Sequence, residues 1–145
     1  MSQENIATSQ RGLEEAFNRG NLNVIDEDTT EGFVNHDPIM GDQDRESGKQ
    51  TIASYREAFP DIHIAIEEIF DAGDKVVMRW SGQGTFENEF MGLQPTHDKG
   101  DPISGITIDR YEGDKIAESW TQWDTLTFMR NIGAVPDESA APAGS

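Results

Sequence analysis

Phe59-Pro60-Asp61-Ile62-His63-Ile64-Ala65-Ile66-Glu67 changes its period in the middle. Upstream of Pro60, Ile52, Tyr55 and Phe59 recur on one helical face, and Ser47 with Gln50 forms a capping-box pattern that predicts where this helix starts. Proline has no N–H and its ring clashes with the preceding turn, so the helix ends there. Downstream, Ile62, Ile64 and Ile66 alternate with His63, Ala65 and Glu67, the pattern of a half-buried strand with His63 toward solvent.

Further along, the period stays at two. Gly73-Asp74 reads as a turn, Lys75–Phe86 as a second strand, and Glu89–Gly92 as a possible extension of the sheet, followed by a loop over 94–100. Pro102–Tyr111 is a third strand, Gly113-Asp114 a turn, and Lys115–Trp123 a fourth strand. Thr125–Asn131 forms a final helical turn. Gly82 and Gly84 inside a strand mark a bulge or bend. Toward the N-terminus, Leu13, Ala16 and Phe17 have helical spacing before a cap at Gly20, Leu22–Ile25 is a second short helical piece, and Phe33–His36 is a short extended piece before Asp37-Pro38. Helices first and a meander of strands second predicts an α+β fold, an antiparallel sheet of four to six strands with about three helices on one face. One domain over 1–135 is expected, with a small, polar, disordered tail over 136–145.

The composition narrows the partners. Eleven Lys and Arg stand against 28 Asp and Glu, a net charge of −17. That surface repels nucleic acid and anionic membranes, so neither is expected as a partner. Its acids are scattered and its lysines are only four (Lys49, Lys75, Lys99, Lys115). This pattern points to a halophilic protein, whose self-repulsion salt would screen. There is no cysteine, hence no disulfide or thiolate chemistry. Met1–Thr8 lacks the basic and apolar regions of a signal peptide, and no apolar run reaches membrane-spanning length, so a cytoplasmic location is expected.

Phe33-Val34-Asn35-His36-Asp37-Pro38, Phe59-Pro60-Asp61, Gly73-Asp74-Lys75-Val76-Val77, Gly84-Thr85, Glu89-Phe90-Met91-Gly92 and Pro95-Thr96 occur in order. Ile108-Asp109-Arg110-Tyr111, Gly113-Asp114-Lys115-Ile116, Glu118, Trp120 and Asp124 follow. This ordered set resembles the SnoaL-like polyketide cyclases of the nuclear transport factor 2-like superfamily, over Leu13 to Gly133. The resemblance implies a cone-shaped, strongly curved sheet wrapped by helices, a pocket at the open end, and a homodimer formed through the sheet. Two positions depart from the family's pattern. Phe86 stands where His or Gln usually follows Gly-Thr, and His97 stands where Gly usually follows Pro-Thr.

Strand alternation places Ile116, Glu118, Trp120, Gln122 and Asp124 on one face. The resemblance implies that Asp124 is the general acid/base of an intramolecular aldol closure, with its pKa raised by an apolar wall that includes Trp120. The competing reading makes Asp124 the N-cap of the following helix. His36, beside Asn35, is expected to hold a substrate carbonyl as the enolate forms, or else to tie down the Asp37-Pro38 turn. Asn35, Trp120, Gln122, Tyr55, Phe59 and Trp80 are the expected substrate-binding residues. Trp123 has the opposite parity to Trp120, so one of the two leaves the pocket face and suits a dimer contact. Arg79 and Glu118 are expected to pair across neighbouring strands. The three histidines have no ligand spacing and no nucleotide-binding motif is present, so neither a metal nor a cofactor is expected.

Two functions follow. One is a cofactor-free cyclase or isomerase acting on a small apolar, enolisable ketone or keto-ester. The other is a non-catalytic module that binds a small apolar ligand on the same fold. A weaker third, hydrolysis, would need a second acid, and Glu118 is the obvious one.

Overall fold

A computed structural model describes residues 2–136, so all but the first residue of the tail expected over 136–145 lies outside the described residues. Helix α1 (Ser2–Leu13) runs into a π-helical turn at Glu14–Asn18, and α2 (Asn23–Asp28) leads directly into β1 (Thr29–Asp37). Then come β2 (Gly41–Gln43), α3 (Arg45–Ala58), β3 (His63–Ala72), β4 (Lys75–Gln83), β5 (Ile103–Glu112), β6 (Lys115–Trp123) and α4 (Thr125–Asn131).

The six strands form one sheet in the order β2-β1-β6-β5-β4-β3. The expected antiparallel arrangement holds for every pair except β1 and β6, which run parallel. β1 is longer than the short piece expected, because α2 ends at its first residue. Gly73 and Gly113 take positive φ (76° and 65°) at the first position of the two-residue turns β3–β4 and β5–β6, where L side chains are strained. Bulges interrupt the register between Ile66 and Glu68, between Arg110 and Tyr111, and between Thr29 and Val34. Each adds local twist and bends the sheet around the helices.

Helix α3 starts three residues earlier than expected. Asp44 is its N-cap, accepting from Ser47 N, while the Asp44 N–H donates to Ser47 Oγ, so Ser47 is the N3 residue and not the cap. Glu89–Gly92 does not extend the sheet. The chain there folds into a tight turn bridged by Phe90 and Leu93, with Met91 at positive φ. The whole excursion between β4 and β5 is pinned at its root, where Asp61 accepts from Thr85 N and Thr85 Oγ1.

Two apolar clusters fill the concave side. Phe59, Phe86, Phe90, Phe128 and Ile132 form one, with Tyr55 and Trp123 packed against it. Val76, Met78, Tyr111 and Ile116 form the other, with Leu13, Phe33 and Trp80 against it. Phe86 is 1% exposed; its departure from the family's pattern fills the core with a ring stacked on Phe59, 5.4 Å between centroids.

Candidate functional site

A cavity of about 270 Å³ lies within the concave side and takes its walls from both clusters. Strand parity decides what faces it. β1 offers Phe33, Asn35 and Asp37, β6 offers Ser119, Thr121 and Trp123, and β5 offers Ile103, Thr107 and Asp109. Asn35, Ser119 and Asp109 stand side by side across three strands.

The polar groups on this wall are wired in one direction. Trp80 Nε1–H donates to Thr107 Oγ1 (3.0 Å), Thr107 and Thr121 hydroxyls meet at 3.3 Å, and Thr121 Oγ1 donates to Asn35 Oδ1 (3.1 Å). The Thr121 hydrogen is committed to Asn35, so Thr107 supplies the one between the threonines. With the Asn35 amide placed so that its oxygen accepts, its NH2 group has no protein partner among the described residues. Tyr55 also lines the cavity, and its hydroxyl has no protein partner among the described residues. Burial pushes its pKa up, with the Asp37 charge adding, so it stays a donor.

Asp37 is held from three sides. Its Oδ2 accepts from Ile39 N (2.9 Å) and Met40 N (2.8 Å), and its Oδ1 accepts from Trp123 Nε1 (3.1 Å). A carboxylate has about four acceptor sites, so one lone pair stays open. Two more acids line the cavity. Asp28 is 7% exposed, and burial pushes its pKa up; Arg11 Nη2 at 2.5 Å opposes that shift, while Asp28 Oδ2 has no protein partner among the described residues. Asp109 is 5% exposed, burial pushes its pKa up, and Ser9 and Ser119 are its hydrogen-bond partners.

Of the expected binding residues, Asn35, Tyr55, Phe59 and Trp80 line this cavity. His36, Trp120, Gln122 and Asp124 do not. They share a face, but it is the outer one, because the small polar side chains of Ser119 and Thr121 point inward instead; Ile116, expected on that face too, lies inside, because the bulge between Arg110 and Tyr111 shifts the parity there. Asp124 is exposed and caps α4, accepting from Thr127 N (3.1 Å) and Thr127 Oγ1 (2.6 Å). The Thr127 side-chain bond, then the backbone one, pulls its pKa down, opposite to the shift expected of a catalytic acid. His36 lies outside the cavity between Glu118 Oε2 (2.7 Å) and Asp42 Oδ1 (2.7 Å), stacked on Trp120. Those bonds, Glu118 first, raise its pKa, and the His36 bond lowers that of Glu118. The expected Arg79–Glu118 pair is absent, since β5 separates their strands. Arg79 meets Glu68 (3.3 Å), and Glu118 meets Arg110 (3.3 Å).

Of the two tryptophans with opposite parity, Trp123 enters the cavity. Trp120 sits on the outer face in a row with Ile108, Val77 and Phe70, the last 48% exposed. His63 is exposed as expected, and His97 is exposed 3.1 Å from Glu87. No group of three or more His, Asp or Glu side chains suited to a metal ion occurs among the described residues.

Comparison with known proteins agrees with this architecture. The sequence pattern described as SnoaL-like polyketide cyclase matches residues 7–132. A candidate SnoaL-like polyketide cyclase from Jannaschia sp. CCS1 superposes with a TM-score of 0.82 at 23% identity, over 93% of this chain and 95% of that one. IdmH, a candidate polyketide cyclase from Streptomyces antibioticus, gives 0.72 at 29% identity, over 90% and 97%. AclR, a candidate hydroxylase from Streptomyces galilaeus, gives 0.83 at 22% identity, over 99% and 87%. No curated protein matches the sequence.

Proposed function

Because the chain belongs to the SnoaL-like polyketide cyclases, we propose that it is a cofactor-free cyclase or isomerase that works by acid/base catalysis on a small, apolar, enolisable ketone or keto-ester. The observation that carries this reading is one oriented carboxylate, Asp37, in an apolar cavity that also holds two donors without a protein partner among the described residues, the Asn35 NH2 and the Tyr55 hydroxyl. Asp37 takes the acidic C–H proton, and the two donors hold the oxygen on which charge develops. The enolate carbon then attacks a second carbonyl of the same substrate, or is reprotonated elsewhere, and the proton on Asp37 returns to the product. A volume of about 270 Å³ lies just below the roughly 300–1,000 Å³ typical of ligand pockets, which favours a compact substrate.

The test is exchange of α-protons for deuterium in D2O, followed by NMR, on ethyl acetoacetate and indanone. Wild type accelerates exchange, and Asp37→Asn loses about 10²–10⁴-fold while staying folded. Binding of these ketones with exchange at the buffer rate would instead identify a non-catalytic binding module. Equal exchange by wild type and Asp37→Asn would remove Asp37 from the chemistry.

A further inference from the structure

One of the two buried acids that this chemistry does not use, Asp109, has an unusual set of neighbours. Ser119 Oγ lies 2.6 Å from Asp109 Oδ1, Asp109 Oδ2 lies 2.7 Å from Ser9 Oγ, Ser9 Oγ lies 2.7 Å from Tyr111 Oη, and Tyr111 Oη lies 2.8 Å from the Asn5 carbonyl oxygen. That is a chain of four oxygen–oxygen contacts at hydrogen-bond distance, each of which needs a hydrogen. The three hydroxyls supply three. The Asn5 carbonyl only accepts, so the Tyr111 hydrogen goes there; the Ser9 hydrogen then goes to Tyr111, and the Ser119 hydrogen to Asp109 Oδ1. The contact between Asp109 Oδ2 and Ser9 is left without one unless Asp109 carries it.

We propose that Asp109 is a neutral carboxylic acid in the folded protein, and that its proton is the first link of a one-way chain through Ser9 and Tyr111 to Asn5 that fastens α1 over the sheet. Asp109 is thus a positioning residue, and the proposal does not depend on any chemistry at Asp37. Ser9 and Asn5 are 2% and 8% exposed, so the chain lies in the interface between α1 and β5. The ionisable groups on the elements packed there offer Asp109 no cation. Arg11 on α1 is taken by Asp28 (2.5 Å) and reaches Glu27 (3.9 Å), Tyr111 is itself pushed toward its neutral form by burial, and Glu118 points to the outer face with Arg110 and His36. An Asp109 anion would be buried with hydroxyl donors alone, and one contact of the chain would have no hydrogen.

The consequence is a helix released by base. A carboxyl whose proton is favoured by folding stabilises fully below the unfolded value of about 3.9, and that stabilisation fades as pH climbs through the folded value. Because Ser9 and Leu13 of α1 are walls of the cavity, loosening the helix opens the cavity at that side.

Asp109→Asn is the decisive variant, since its NH2 supplies the missing hydrogen to Ser9 while its carbonyl still accepts from Ser119. On the full chain, infrared spectra near neutral pH show a carboxylic-acid C=O band that shifts in D2O and is missing from Asp109→Asn. In wild type, the hydrogen-exchange protection of α1 amides falls by up to about tenfold per pH unit between about 3.9 and the folded pKa and levels off above it, whereas in Asp109→Asn it stays flat. Asp109→Ala, which can neither donate nor accept, melts below both. The proposal is overturned if wild type lacks the band, or if Asp109→Asn is destabilised as much as Asp109→Ala.

Discussion

Gly105→Ala tests the wall on which the Asn35 amide depends. Gly105 pairs with Trp80 across β4 and β5, and the indole lies over the bare Cα. A Cβ at this position would sit 2.3 Å from Trp80 Cζ2 and 2.7 Å from Cε2, where carbon atoms at rest keep about 3.5–4.0 Å. The ring must therefore shift by an ångström or more, and it takes Nε1–H away from Thr107 Oγ1. Overpacking of this kind costs about 1–3 kcal/mol, and the lost hydrogen bond about 1 kcal/mol, so the variant should lose about 2–4 kcal/mol. For a domain of 145 residues that is a fall in Tm of about 7–13 °C. Circular dichroism melts give the shift, and indole emission reports the displaced ring. Gly82→Ala is the control: its Cβ would meet the flexible Ile64 Cδ1 at 2.7 Å, which can rotate away, so it should lose under about 1 kcal/mol. A Gly105→Ala protein with wild-type Tm and emission would refute the stacked geometry and the donor relay built on it.

Asp124→Asn should melt like wild type and keep any turnover, while Asp124→Ala should lose about 1 kcal/mol with turnover unchanged, because this residue caps α4 outside the cavity; loss of turnover in Asp124→Asn would return it to the chemistry. The His36 pKa is raised in the folded state, so its stabilisation is complete below about 6.5 and is lost as pH rises through the folded value; the Tm gap between wild type and His36→Gln should shrink across that range, and a gap that widens would contradict the bonds to Glu118 and Asp42. With a net charge of −17, Tm should climb as potassium chloride is raised toward the molar range, where the Debye length is about 3 Å; a flat or falling Tm would count against adaptation to high salt.

Much of this fold was legible because its signals are local. The change of period at Pro60 separated α3 from β3, and the two Gly-Asp turns bracketed strands whose bounds at Lys115–Trp123 agree with the structure. The site was harder to read for a physical reason. Alternation says which residues share a face, but not which face is inside. On β5 and β6 the usual cue is inverted: Ile106 is 46% exposed, while Thr107, Asp109, Ser119 and Thr121 face the cavity. Those inward polar groups are satisfied by one another, and a single strand does not reveal a partner two strands away. The bulge after Ile66 adds a local shift of parity, so Ile69, not an even-numbered neighbour, continues the inner row. The cap of α3 was misplaced because Ser47 serves as the N3 member of a box whose first member, Asp44, lies in what reads as a polar loop.

The parallel pairing of β1 with β6 has a bearing on how the molecule comes to exist. β1 follows the first two helices, whereas β6 lies close to the C-terminal end of the described chain, so the ladder that joins them closes the longest loop in the sheet. On a ribosome, β3, β4 and β5 can pair as each emerges, but β1 and its short partner β2 wait for Lys115–Trp123. Until then the Asn35 and Asp37 wall has only the short β2 beside it, and the other side of β1 shows an open edge to other chains. Closing so long a loop is slow. Assembly of the cavity is therefore among the last events of folding, and a nascent chain cut before β6 would expose the strand most able to aggregate.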